Sequence, residues 1–254
     1  MSTTTESLRA HAKLTTSLRI TGVRADGYHL IDAEMVSLDL HDVVRIDRGG
    51  RGVSASGPFA AGVPLDESNL VAKALAMVGR TAHVALDKQI PHGGGLGGGS
   101  TDAAAVLRWA GLGTGRADLE RAASLGADVP FCLHGGRARV RGIGEIVEPL
   151  ADRPLLVTLV VPPLAMSTPA VYARWDELGG PRAEGPNDLE SAAVDLEPAM
   201  ARWRDAIAER CGRRPVLAGS GATWFAVGGH GNALAELAGE GATIREARAV
   251  PRSG

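Results

Sequence analysis

Between Pro91 and Asp102 the chain reads Pro91-His92-Gly93-Gly94-Gly95-Leu96-Gly97-Gly98-Gly99-Ser100-Thr101-Asp102. Backbone amides that converge without side chains can wrap an anion, and amides at the start of a helix add partial positive charge. Ala103, Val106, Leu107 and Ala110 follow at helical spacing, so the glycines run straight into an amphipathic helix. That placement, with the lone Leu96 in the middle, favours a phosphate cradle over a flexible linker capped by Ser100. Ser100 and Thr101 carry hydroxyls that could touch phosphate or a magnesium ion, and Asp102 falls in the first helical turn. No Gly-Lys-Ser/Thr ends the run, so it is not a Walker A loop. No acidic residue stands at a strand end about 20 residues on, as a dinucleotide site needs.

Other positions can carry chemistry, each with a plain structural alternative. Asp128 lies between Gly126 and Pro130, where a helix cap, a turn residue and a stop explain it equally well. Lys13 is one of only three lysines, with Lys73 and Lys88, and lies near the N-terminus, where lysines are usually solvated. Arg24-Ala25-Asp26-Gly27-Tyr28-His29 reads as a turn, its aromatic and imidazole either packing on their own domain or stacking on a ligand. Gly219-Ser220-Gly221-Ala222, between Leu217 and Trp224, is either a tight hairpin or a second backbone cradle.

The elements that must position these residues follow from periodicity. Met1 to Glu6 reads as a loose tail, and Leu14 to Asp47 as strand, with Val36, Leu38 and Leu40 alternating with polar residues. Asn69 caps a helix carrying Val71, Ala74, Leu75 and Val78 on one face. A short strand holds Val84 and Leu86, and a helix spans Asp118 to Leu125. Strand resumes from Arg137 to Leu150. Pro154 marks a boundary, predicting an N-terminal domain over 1–152 and a C-terminal domain over 153–254. Beyond it come a buried strand over Leu155 to Val161 and a stripe of Leu196, Ala199, Met200, Trp203 and Ile207. A strand-turn-strand over Val216 to Val227, a helix near Ala233 to Ala238 and a strand near Ile244 complete the chain. Helices and strands mix without strict alternation, which predicts an α+β fold.

Composition narrows the function classes. The chain has 254 residues, 44% apolar but only 4% aromatic, so aliphatic side chains and alanine must fill the core. The formal charge of −2 calls for neither nucleic acid nor an anionic membrane as partner. Cys132 and Cys211 form no metal spacing and no disulfide framework, which predicts buried or idle thiols in a reducing compartment. The polar start of the chain has no signal-peptide core, and the longest apolar run, Leu155 to Met166, is broken by Thr158, Pro162 and Pro163. A cytoplasmic protein is expected.

In combination, these segments resemble the GHMP kinase superfamily from about Ala12 to Val227, and within it the kinases acting on cytidine diphosphate methylerythritol. Ala12-Lys13-Leu14, Arg24 to His29, Ile90 to Ala104, Gly126 to Phe131, Ser167-Thr168-Pro169 with Tyr172, Asn187 to Glu190 and Gly219 to Ala222 match in the family's order. The resemblance implies a two-domain α+β fold, ribosomal S5-like in its N-terminal half and ferredoxin-like in its C-terminal half, with the site between. It implies a kinase using ATP and Mg2+ on the 2-hydroxyl of that small-molecule substrate, as monomer or homodimer. ATP would lie on Pro91 and on Gly93 through Thr101, with Asn69 and Lys88 near the nucleoside and Ser100 at the metal. Asp128 would take the hydroxyl proton, and Lys13 would orient Asp128 and steady the phosphoryl group in transfer. Tyr28 and Tyr172 would sandwich the cytosine, His29 would bond its edge, and Thr15, Thr168, Gly219 and Ser220 would complete the substrate side. The family usually has asparagine where Thr15 stands, and the loop commonly ends Ser-Ser-Asp rather than Ser100-Thr101-Asp102. Two other outcomes stay open: a GHMP kinase for another small alcohol, and a catalytically weak nucleotide-binding protein.

Overall fold

The computed structural model describes residues 5–252. The chain opens with two 19-residue strands, β1 (Thr5–Val23) and β2 (His29–Asp47), paired antiparallel around the Arg24 to Tyr28 turn. Thr5 and Glu6 thus belong to β1 rather than to a loose tail; Met1 to Thr4 lie outside the described residues. The pairing slips between His11 and Lys13 and again between Thr15 and Ser17. Such irregularities re-aim side chains, and these two bracket Lys13 and Thr15. From Ala12 to Thr15 every residue is buried, so this stretch of β1 is covered on both faces.

β3 (Gly52–Ser56) runs parallel to β4 (His83–Asp87), which pairs antiparallel with β2. Between them lies α1 (Leu70–Met77), capped as expected by the Asn69 side chain, which accepts from the Val71 amide. α2 (Gly98–Trp109) follows the glycine run, and α3 (Arg116–Ala123) and α4 (Val129–His134) complete the helical layer. Burial in α2 extends all round from Thr101 to Leu107 rather than along one stripe. Ala103, Ala104 and Ala105 explain this, because small side chains let neighbouring elements close on every side of a helix. β5 (Arg137–Gly142) pairs with β2 and with β6 (Ile146–Pro149).

After Pro154 a second set of strands forms. β7 (Leu156–Val161) is the predicted buried strand. α5 (Thr168–Glu177), α6 (Glu190–Leu196) and α7 (Ala199–Cys211) follow, α7 burying Met200, Trp203 and Ile207 as its stripe predicts. β8 (Val216–Leu217) and β9 (Trp224–Val227) flank the second glycine turn. α8 (Gly231–Leu234) and a 3-10 helix lead to β10 (Thr243–Val250). β10 pairs with β7 over six residues, and its last two, Ala249 and Val250, pair with Leu38 and Ser37 of β2. One apolar cluster, including Ala12, Leu14, Val36, Ile90, Leu96, Leu159, Ala218 and Phe225, draws on both sets of strands. The architecture is α+β, and no helix among the described residues is long and apolar enough to cross a membrane.

Candidate active site

The glycine run is a loop held from three directions. The Leu96 side chain is buried in the shared apolar cluster, and its carbonyl accepts from the Lys13 amide at 3.0 Å. The lone leucine is therefore the loop's anchor. Pro91 and Gly94 are also buried, whereas Gly93 and Gly99 are exposed. Gly95 has φ +74°, and a Cβ there would lie 2.7 Å from the Gly221 carbonyl oxygen and 2.8 Å from that of Ala218. The first glycine segment thus packs directly on the second. Gly97, at φ +72°, is the N-cap of α2 and supplies no side-chain cap. The backbone N–H groups of Gly98, Gly99 and Ser100 have no acceptor among the described residues. Three unpaired amides at the start of a twelve-residue helix form an anion cradle.

Ser100 is where this loop meets a cleft of about 710 Å³. At the cleft floor Lys13 Nζ lies 3.3 Å from Asp128 Oδ2 and 3.3 Å from Thr15 Oγ1. Asp128 occupies the N-cap position of α4, with Pro130 in the first turn, so the proline begins a helix here rather than stopping one. The Asp128 side chain makes no capping bond, which leaves its carboxylate to Lys13. Thr15 sits close to Gly219, where an added Cβ would lie 3.7 Å from its Oγ1.

The far wall comes from the β1–β2 turn and from α5. Tyr28 is 61% exposed, while Tyr172 is half-buried, and desolvation of its phenol pushes its pKa up. His29 packs against the Tyr172 ring at 4.7 Å between centroids. Thr168 and Ser220 share a hydrogen bond of 2.7 Å across the cleft, joining α5 to the second glycine turn. Asn187 donates to the carbonyls of Leu217 (2.9 Å) and Gly219 (2.7 Å) and fixes that turn from behind. Asp188 accepts from the Ile20 amide and from Arg19, tying the same segment to β1.

Several expected ligands are engaged elsewhere. The Lys88 ammonium, expected near a nucleoside, is buried beneath the loop between the carboxylates of Asp42 and Asp102. Both Asn69 polar groups are spent on the Val71 amide and the Pro64 carbonyl. Thr101 turns its hydroxyl away from the loop to the His11 carbonyl at 2.7 Å. Asp42, which no sequence pattern marked, accepts from the Ile90 amide at 2.8 Å and from that of Gln89, pinning the loop entry to β2.

This buried trio has a pH consequence. Burial opposes the Lys88 charge, but Asp102 and Asp42 outweigh it and hold the ammonium above the usual lysine range. Burial pushes Asp102 up to about 7, Lys88 pulling it down and Asp42 pushing it further up, and its Oδ1 has no partner among the described residues. Between the ordinary carboxylate range and about 7, the native chain holds a proton that the unfolded chain has released. The Asp102 contribution to stability is therefore largest on the acid side of that window and is lost as pH rises through it, while His11 and His134, whose pKa values burial lowers, contribute in the opposite sense. Asp102 by itself should lower the melting temperature by a few degrees between about pH 5 and about pH 8. Asp102→Asn should flatten the slope in thermal melts, and an equally steep slope in that variant would assign it elsewhere.

Residues 69–136 match the GHMP kinases N terminal domain family. The chain is 42% identical over 235 residues to the 4-diphosphocytidyl-2-C-methyl-D-erythritol kinase of Paracoccus denitrificans, covering 85% of this chain and 84% of that one. It is 40% identical over 247 residues to the enzyme of the same name from Cereibacter sphaeroides, covering 85% and 87% of the two chains. A crystal structure of 4-(cytidine 5'-diphospho)-2C-methyl-D-erythritol kinase superposes with a TM-score of 0.75 at 28% identity, covering 96% of this chain and all of that one. The L. major mevalonate kinase shares the fold at 14% identity and a TM-score of 0.66, covering 100% of this chain and 98% of its own. By these matches over most of its length, the chain belongs to the 4-diphosphocytidyl-2-C-methyl-D-erythritol kinase family of GHMP kinases.

Proposed function

We propose that the chain transfers the γ-phosphoryl group of ATP to the 2-hydroxyl of 4-diphosphocytidyl-2-C-methyl-D-erythritol, in the making of isoprenoid precursors. The observation that carries this reading is the Lys13–Asp128 pair on the floor of a single cleft, with an amide cradle on one side and an aromatic wall on the other. Phosphates rest on the amides of Gly98, Gly99 and Ser100. Cytosine lies on the wall formed by Tyr28, His29 and Tyr172. The acceptor hydroxyl then falls near the floor. Asp128 accepts its proton as the oxygen bonds to phosphorus, the bond to the ADP oxygen breaks, and the Lys13 ammonium balances the charge on the phosphoryl oxygens.

Magnesium supplies charge neutralisation on the phosphates when bound. No group of three or more His, Cys, Asp or Glu among the described residues could cage a metal. That fits an ion carried chiefly by phosphate oxygens and water, with the Ser100 hydroxyl as the chain's own contribution. The division at residue 152 belongs to the same proposal: the N-terminal part carries the cradle and the Lys13–Asp128 pair, and the C-terminal part supplies Thr168, Tyr172 and Ser220. Incubation with the cytidine substrate, ATP and magnesium should release one ADP per substrate consumed. A parallel panel of mevalonate and homoserine should release none. ADP release with another alcohol and not with the cytidine compound would overturn the substrate assignment.

A further inference from the structure

His29 is the first residue of β2, and it is held by one face of α5. Tyr172, Trp175 and Asp176 stand three and four residues apart on that helix, the spacing that brings side chains together on one face. The Tyr172 ring lies 4.7 Å from the imidazole at a tilt of 39°, and the Trp175 ring meets it edge-on at 5.7 Å and 81°. Asp176 Oδ1 lies 2.9 Å from His29 Nε2, and the Asp176 carboxylate has no other hydrogen bond among the described residues. The ring is therefore packed from two sides and oriented by a charge at its tip. Its other nitrogen, Nδ1, makes no hydrogen bond among the described residues, is not one of the buried unpaired atoms, and belongs to a residue lining the cleft.

An ionised carboxylate can only accept, so the proton of the neutral imidazole must sit on Nε2. Nδ1 is then a lone pair. A lone pair complements the exocyclic amino group of cytosine and repels the carbonyl oxygen that uracil carries at the same position. We infer that Asp176 is a positioning residue that fixes the tautomer of His29 and so makes the cleft choose an amino pyrimidine over a keto one. This rests on the proposed cytidine site and names the group that sets its base selectivity. Without Asp176 the imidazole is free to place its proton on Nδ1, which would donate to the uracil carbonyl.

The test is calorimetric titration of the wild type and Asp176→Ala with cytidine diphosphate and uridine diphosphate, at about pH 8 where histidines are ordinarily neutral. The wild type should bind the cytidine compound about tenfold more tightly or better, and Asp176→Ala should cut that ratio roughly tenfold. Equal weakening of both ligands, or an unmoved ratio, would mean that Asp176 only supports the wall, and the inference fails. NMR of the histidine ring nitrogens in the free protein gives a second readout. Wild-type His29 should carry its proton on Nε2; a dominant Nδ1–H form would equally overturn the inference. A wild type that binds neither nucleotide brings down the cytidine site itself, an outcome distinct from a cytidine preference that survives the substitution.

Discussion

Asp128→Asn should lower kcat by roughly 10³-fold, the scale of a lost general base, with the fold intact and the KM for ATP little changed. The geometry explains why the effect should fall on turnover alone. Asp128 stands at the N-cap of α4 but makes no side-chain cap, so no helix-stabilising bond is lost. Its partners are Lys13 at 3.3 Å and solvent, the side chain being 32% exposed. An amide of the same shape can still accept from Lys13, and Thr15 continues to hold that ammonium from the other side. What the amide cannot do is take a proton from an attacking hydroxyl. Steady-state ADP release alongside a thermal melt decides the matter. Turnover within about fivefold of wild type in a well-folded variant would remove Asp128 as the base.

The elements were largely legible because their signals are local. Asn69 before an apolar stripe predicts a capped helix, and the cap forms in the expected way. Glycine runs predict special backbone, and Gly95 and Gly97 both adopt positive φ. What escaped the sequence is what chain crossings decide. Lys88 beside the loop suggests a nucleotide contact, but its direction depends on Asp42, 46 residues earlier, meeting it across the β2–β4 pair. Thr101 looks like a continuation of Ser100. One residue along a helix is a turn of about 100°, enough to send its hydroxyl to β1 instead of the loop. Asp176 and His29 are 147 residues apart and are joined only by the packing of α5 on the start of β2. Asn187 and Asp188 carried a resemblance without a role; the role is to fix the second glycine turn and to tie it to β1.

The glycine loop and the lysine are in effect one device, and a pair of substitutions two residues apart should separate its two functions. Gly97→Ala should cost about 1–3 kcal/mol of stability, because its φ of +72° lies where side-chain-bearing residues are strained. It should also lower kcat by about 10², the scale of a misplaced catalytic group. An added Cβ would stand 2.7 Å from Lys13 Cγ and 3.4 Å from Cε, too close for the stem to keep its course to Asp128. Gly99→Ala, two residues on, is the control. There the Cβ meets only Leu70 Cδ1 at 3.8 Å, an ordinary contact, and alanine suits a helix better than glycine. That variant should melt at or above the wild-type temperature and keep its lysine in place, while a methyl group on the exposed side of the cradle raises the KM for ATP. A fall in kcat at Gly97 with a rise in KM at Gly99 would divide the loop into a part that shapes the lysine and a part that faces phosphate. If Gly97→Ala keeps kcat within about threefold, the close approach of loop to lysine is packing alone, and the phosphate cradle works without it.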